Sequence, residues 1–175
     1  MRKRGFTLLE LIIVISILGA IMAMASGNYM TSLKRGRDVK RKAEAASLKI
    51  ALQLYNMDYA KYPNGSGSGT TPPYGMNGCG TNGTSTCPPA TCTSVDFGAG
   101  NASCTGSIYM INLPASYGNA TNQPMRYHST ANQANFCILQ ALEITTDPDI
   151  ALSQSKCVTQ CTGFAMGTNY VVCNE

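Results

Sequence analysis

Apolar positions run almost without interruption from Phe6 to Ala25, FTLLELIIVISILGAIMAMA, twenty residues whose only charge is Glu10. Wound as a helix at 1.5 Å per residue, this run is roughly 30 Å long, the thickness of a bilayer's hydrocarbon core. It predicts one membrane crossing over residues 6–25. Beyond it the pattern changes from continuous to periodic. No proline occurs from Asn28 to Lys61, and Arg41, Ala45, Leu48, Leu52, Tyr55 and Tyr59 recur at steps of three and four, the spacing of one helix face. Residues 6–61 therefore read as a single helix of roughly 80 Å. Tyr62-Pro63 ends it, because the residue before a proline is pushed out of helical geometry.

The head, residues 62–175, begins with a stretch that has neither period. Of the 44 residues in 63–106, 32 are Gly, Ser, Thr, Asn or Pro, and the one charge is Asp96. An extended loop is expected there. The sequons at Asn64, Asn82 and Asn101 within it, and at Asn119 beyond it, are what such a composition produces by chance. Strand patterns return over 107–175, at Ile108–Leu113, Met125–His128, Asn135–Ile144 and Thr168–Cys173. A small antiparallel sheet packed on the upper part of the helix makes this an α+β head.

Charge and cysteine divide the chain at the same place. Residues 1–61 hold eleven Lys/Arg against four Asp/Glu, and residues 62–175 hold two against five. All eight cysteines, Cys79, Cys87, Cys92, Cys104, Cys137, Cys157, Cys161 and Cys173, lie in the head. An even number confined to one side points to disulfides in an oxidising compartment. Zinc is disfavoured, since there is no C-x-x-C pair and His128 is the sole histidine. The first four cysteines can staple the loop among themselves. Cys173 is expected to join Cys157 or Cys161, with Cys137 taking the other.

The N-terminus carries the most specific signal. Arg2, Lys3, Arg4 and Gly5 precede the apolar run, and Glu10 is a carboxylate inside a membrane-spanning segment, which costs a few kcal/mol and calls for a counter-charge. Cutting between Gly5 and Phe6 would free such a cation four residues away. The string Lys3-Arg4-Gly5-Phe6-Thr7-Leu8-Leu9-Glu10-Leu11-Ile12 resembles the processing motif of type IV prepilins and type II secretion pseudopilins. Similarity continues through Lys42–Pro63, KAEAASLKIALQLYNMDYAKYP, which resembles the helix end of the major pseudopilins. Gly27 stands where many pilins have a kinking proline.

The resemblance implies a pilin-like fold with a leader at residues 1–5, removed by a membrane-embedded prepilin peptidase that also methylates Phe6. It implies that Glu10 pairs with the Phe6 amine of a neighbouring copy as subunits leave membrane lipid for a helical homopolymer, driven by an inner-membrane assembly platform. The head then lies outside, in a periplasmic or extracellular filament. Counting basic residues around the span favours the opposite orientation; the cysteines and the leader decide for an outside head. A calcium ion is a further implication, with Glu143, Asp147 and Asp149 the candidate oxygen ligands; no other cofactor is expected. The basic run Lys34, Arg35, Arg37, Lys40, Arg41 and Lys42 has no interleaved aromatics, so nucleic acid is disfavoured against lipid and subunit contacts. His128, at a strand end with no Ser, Cys or acid motif beside it, is expected as a partly exposed sheet residue, and no catalytic constellation is found. The reading is a structural subunit of a pilus or pseudopilus. The alternative is a membrane-anchored, disulfide-rich binding module that does not polymerise.

Overall fold

The computed structural model describes residues 6–66, 75–79, 85–86, 97–99, 106–114, 117 and 124–174. The chain divides into two compact units, Met1–Arg37 and Asp38–Glu175. Helix α1, Leu8–Tyr59, begins in the first unit and is the opening element of the second.

In the first unit the apolar side chains of α1 are exposed on every face, from Leu8 through Ile13, Ile17 and Ile21. Ser16 is accommodated there by donating to the Ile12 carbonyl at 2.8 Å, which spares its hydroxyl from needing water. Among the described residues no helix is long and apolar enough to cross a membrane.

In the second unit the periodic face of α1 is buried as expected: Ala45, Leu48, Leu52 and Tyr55 are fully enclosed and Tyr59 is partly so. The helix ends at Tyr59, the last residue of the periodic face and two residues before the expected Lys61. Ala60 takes a left-handed φ of 54° and its N–H closes onto the Asn56 carbonyl at 2.8 Å, a terminal turn that glycine more often makes. Tyr62 and Pro63 follow in non-helical backbone.

Strands β1 (Asn64–Ser66), β2 (Gly75–Cys79) and β3 (Ser85–Thr86) form one antiparallel sheet, and β4 (Phe97–Ala99) pairs with β5 (Ser107–Met110) in a second. These correct the expectation of an unstructured 63–106. Two apolar anchors explain why: Met76 and Phe97 are fully buried in the core with α1, and Phe97 lies 5.6 Å from the Tyr55 ring and 5.5 Å from that of Tyr109. Gly98 permits the close β4–β5 approach, since a Cβ there would meet the Ser107 carbonyl oxygen at 3.1 Å.

The third sheet is β6 (Met125–Ser129), β7 (Phe136–Gln140) and β8 (Tyr170–Cys173), antiparallel with β7 central. Its register puts Tyr127, Ile138 and Val172 in one row and His128, Cys137 and Cys173 in the next. Because side chains alternate between faces, the first row joins the α1 core and the second faces a separate cluster of Cys137, Leu139, Cys157, Cys161, Val171 and Cys173. Covered on both sides, β7 is buried at all five positions. Helix α2, Pro148–Lys156, precedes β8 and is held to it by the Ser153 hydroxyl, which accepts the Val171 N–H at 3.1 Å.

Candidate functional site

Gly5, the expected cleavage residue, lies outside the described residues; Phe6 is described and exposed. Thr7 caps α1: its hydroxyl accepts the Glu10 N–H at 3.3 Å and its carbonyl the Leu11 N–H at 3.3 Å. Thr7-x-x-Glu10 is thus a capping-box sequence, and an acid in the first turn also faces the positive end of the helix dipole. Glu10 has this local role in starting the helix besides the role the resemblance implies. Its side chain is exposed.

A second cluster of charge sits where α1 meets the start of α2. Asp38 is 1% exposed. Its two oxygens accept the N–H groups of Glu143 and Ile144, each at 2.9 Å, and Arg41 donates to it at 2.8 Å. The same guanidinium reaches Glu143 at 2.9 Å. One residue on, the Lys42 ammonium donates to Asp147 at 2.8 Å and to Asp149 at 2.7 Å. Burial by itself lowers the pKa of that ammonium, but the hydrogen bonds and charges of Asp147 and Asp149 outweigh it and hold the group above the ordinary lysine value. Asp147 is also the N-cap of α2, its other oxygen accepting the Asp149 N–H at 2.9 Å, with Pro148 opening the helix.

The three acids expected as calcium ligands are therefore each engaged by a cation of α1, and among the described residues no group of three or more metal-ligating side chains forms. The basic run is also not a uniform solvated face. Lys34, Arg35, Arg37 and Lys40 are exposed, whereas Arg41 and Lys42 are turned into the head. Asp38 went unassigned from sequence, although its position seven residues before Ala45 places it on the buried face of α1. Helix α2 was equally unassigned, although aspartate followed by proline is a helix-start signal.

The C-terminal cysteines pair as Cys157–Cys173 and Cys137–Cys161, one of the two arrangements left open by sequence. The side chains of Cys79, Cys87, Cys92 and Cys104 lie outside the described residues. His128 is buried, not partly exposed, and stacks on Phe164 with ring centres 4.2 Å apart. Burial, and then the charge of Arg126, push its imidazole below the usual histidine value. A cavity of about 420 Å³ between α1, α2 and β8 is lined by Lys49, Leu152, Lys156, Tyr170 and Val172, together with Cys157 and Cys173, which are bonded to each other. Ser153 also lines it, its hydroxyl donating to the Ile150 carbonyl at 2.9 Å and accepting the Val171 N–H.

Residues 1–26 match the family model described as the prokaryotic N-terminal methylation motif. The chain is 38% identical over 63 residues to the type II secretion system core protein G of Pectobacterium carotovorum subsp. carotovorum, covering 36% of this chain and 40% of that protein. It is 37% identical over 62 residues to the protein of the same name from Klebsiella pneumoniae, covering 35% and 44%, and 34% identical over 64 residues to that of Vibrio cholerae serotype O1, covering 36% and 44%. The match thus spans less than half of each relative. No solved structure gives a significant match. The resemblance drawn from the N-terminal motif is shown over these stretches.

Proposed function

We propose that the chain is a structural subunit of a type II secretion pseudopilus, made as a membrane-held precursor, cleaved after Gly5, methylated on Phe6 and polymerised into a helical filament. One observation carries this reading: apart from Glu10 and Ser16, the side chains of α1 from Leu8 to Ile21 are apolar, and the large ones are exposed all round, in the segment that matches the methylation motif. A helix that is apolar on every side needs lipid or other helices around it. In this reading residues 6–25 lie in the inner membrane before assembly, with the head outside the cytoplasm, and neighbouring copies replace lipid in the filament. Glu10 is then a carboxylate in apolar surroundings, and the Phe6 amine of a neighbouring copy is the counter-charge that sets register. Prepilin peptidase and an inner-membrane assembly platform are the partners this route requires. The similarity to core protein G favours a pseudopilus over a long surface pilus. No catalytic step is assigned: among the described residues of the head, Glu143, Asp147 and Asp149 serve ion pairs and His128 a ring stack.

Mass spectrometry of the N-terminus of the purified full chain tests the proposal. The expected species begins with N-methylated Phe6. An intact Met1, or a terminus near Ser26 from ordinary signal cleavage, overturns it and leaves an anchored or secreted module that does not polymerise.

A further inference from the structure

The resemblance implies calcium at Glu143, Asp147 and Asp149, and the donor set here can be compared with what that ion needs. Calcium takes about six to eight oxygens at roughly 2.3–2.6 Å. Of the Asp147 carboxylate, one oxygen accepts the Asp149 N–H at the start of α2 and the other accepts Lys42 at 2.8 Å. Asp149 accepts the same ammonium at 2.7 Å, and Glu143 is drawn to Arg41 at 2.9 Å. A dication within coordination distance of these oxygens would lie beside the Lys42 ammonium, and the two would repel in a partly buried setting where charge interactions are screened less than in water. The residues present do not fit the metal.

We infer that the Lys42 ammonium is this chain's own cation at that position, tying α1 to the N-terminus of α2, and that the head is held without a divalent ion. The contacts support it from both ends. Lys42 and the two aspartates are separated by 105 and 107 in sequence, so the contact ties α1 to a part of the head far along the chain. The side chains of Lys42 and Asp147 are each 18% exposed, enough enclosure to favour one fixed geometry over a hydrated, shifting pair. Lys42 also lies 5.6 Å from the ring centre of Tyr170 on β8, within the range of a cation–π contact. One ammonium thus meets α2 and the sheet together, which a surface lysine does not.

The test is thermal unfolding of the oxidised full chain in detergent micelles, followed by circular dichroism, in millimolar calcium chloride and in excess chelator. The inference holds whether or not the chain polymerises, and the N-terminal mass does not bear on it. The wild-type midpoint should be the same in calcium and in chelator. Lys42→Ala should lower it by roughly 5 °C or more, and Lys42→Arg, which keeps a cation able to span two carboxylates, should recover most of the loss. A wild-type midpoint that rises with calcium and falls with chelator overturns the inference. So does a Lys42→Ala chain as stable as wild type. Should Lys42→Ala fail to fold, Lys42→Arg and the wild-type calcium comparison still decide.

Discussion

The two faces of the β6–β7–β8 sheet are stabilised by different means. Towards α1, Tyr127, Phe136, Ile138 and Val172 meet Leu48, Leu52, Tyr55 and Tyr62 in a core of large apolar side chains. Away from α1, the cover is one short helix and a turning segment, and the buried cluster is mostly sulfur: four cysteines joined in two bridges, with Leu139, Val171, Phe164 and Met166. The first face gains stability in proportion to apolar area removed from water. The second has too little area for that and gains it from chain closure, which restricts the unfolded state. A small head with a Gly- and Ser-rich loop can therefore cover both sides of a three-stranded sheet with only one true core.

The comparison breaks most readily on the α1 side. Phe136 is fully buried, 4.8 Å from the Tyr62 ring centre and 6.4 Å from that of Tyr127. Phe136→Ala should cost about 3–5 kcal/mol, the range for a large aromatic deleted from a packed core, measured by chemical denaturation of the full chain in micelles. A loss under about 1 kcal/mol would mean that this face is not the apolar core described.

That core was the legible part of the molecule, and the reason is local. Ala45, Leu48, Leu52 and Tyr55 announce themselves because one helix face repeats within a few residues, and β7 does so as a continuous apolar run bounded by polar residues. What escaped depends on partners far away or on the main chain. Asp38 looked like one acid among many basic residues because its partners are backbone N–H groups 105 and 106 positions on. His128 looked like a half-exposed strand end because Phe164, which covers it, lies beyond β7 and α2. The strands β1 to β4 have no alternation to read; they are held by main-chain pairing and by single anchors such as Met76 and Phe97. Asp147-Pro148-Asp149 was legible in principle as the start of a helix, but as an acidic group it suggested a metal instead.

The disulfide face sharpens the comparison at a smaller size of effect. Replacing Cys157 and Cys173 together by alanine opens a loop with a sequence separation of 16, and the cost should be about 3 kcal/mol by loop-closure entropy. Alanine is chosen so that no hydroxyl is left unsatisfied beside Val171. Adding reductant to wild type should bring its unfolding midpoint down to or below that of the double variant, while Phe136→Ala should remain sensitive to reductant because its bridges are intact. If the double variant loses more than Phe136→Ala, the ranking of the two faces is inverted and the sulfur layer is the principal support.

The smallest expected effect is on pH dependence, and it too belongs to the disulfide face. His128 shares its row with Cys137 and Cys173, is enclosed by Phe164, and has the cationic Arg126 two residues away on its own strand and face. Burial and that charge both oppose protonation, so the folded-state value lies below the histidine value of 6.5 that the unfolded chain retains. Between the two values the unfolded state binds more protons than the folded one, and stability must fall as pH falls through that window. Above 6.5 the group contributes no slope. Denaturation measured at pH 7.5 and at pH 5 should therefore show wild type losing stability on acidification, and His128→Gln, which cannot titrate, should lose less. An identical loss in both chains would place the acid sensitivity elsewhere, and a wild type that gains stability on acidification would mean that the His128 ring is paired with an acid rather than shielded by Phe164.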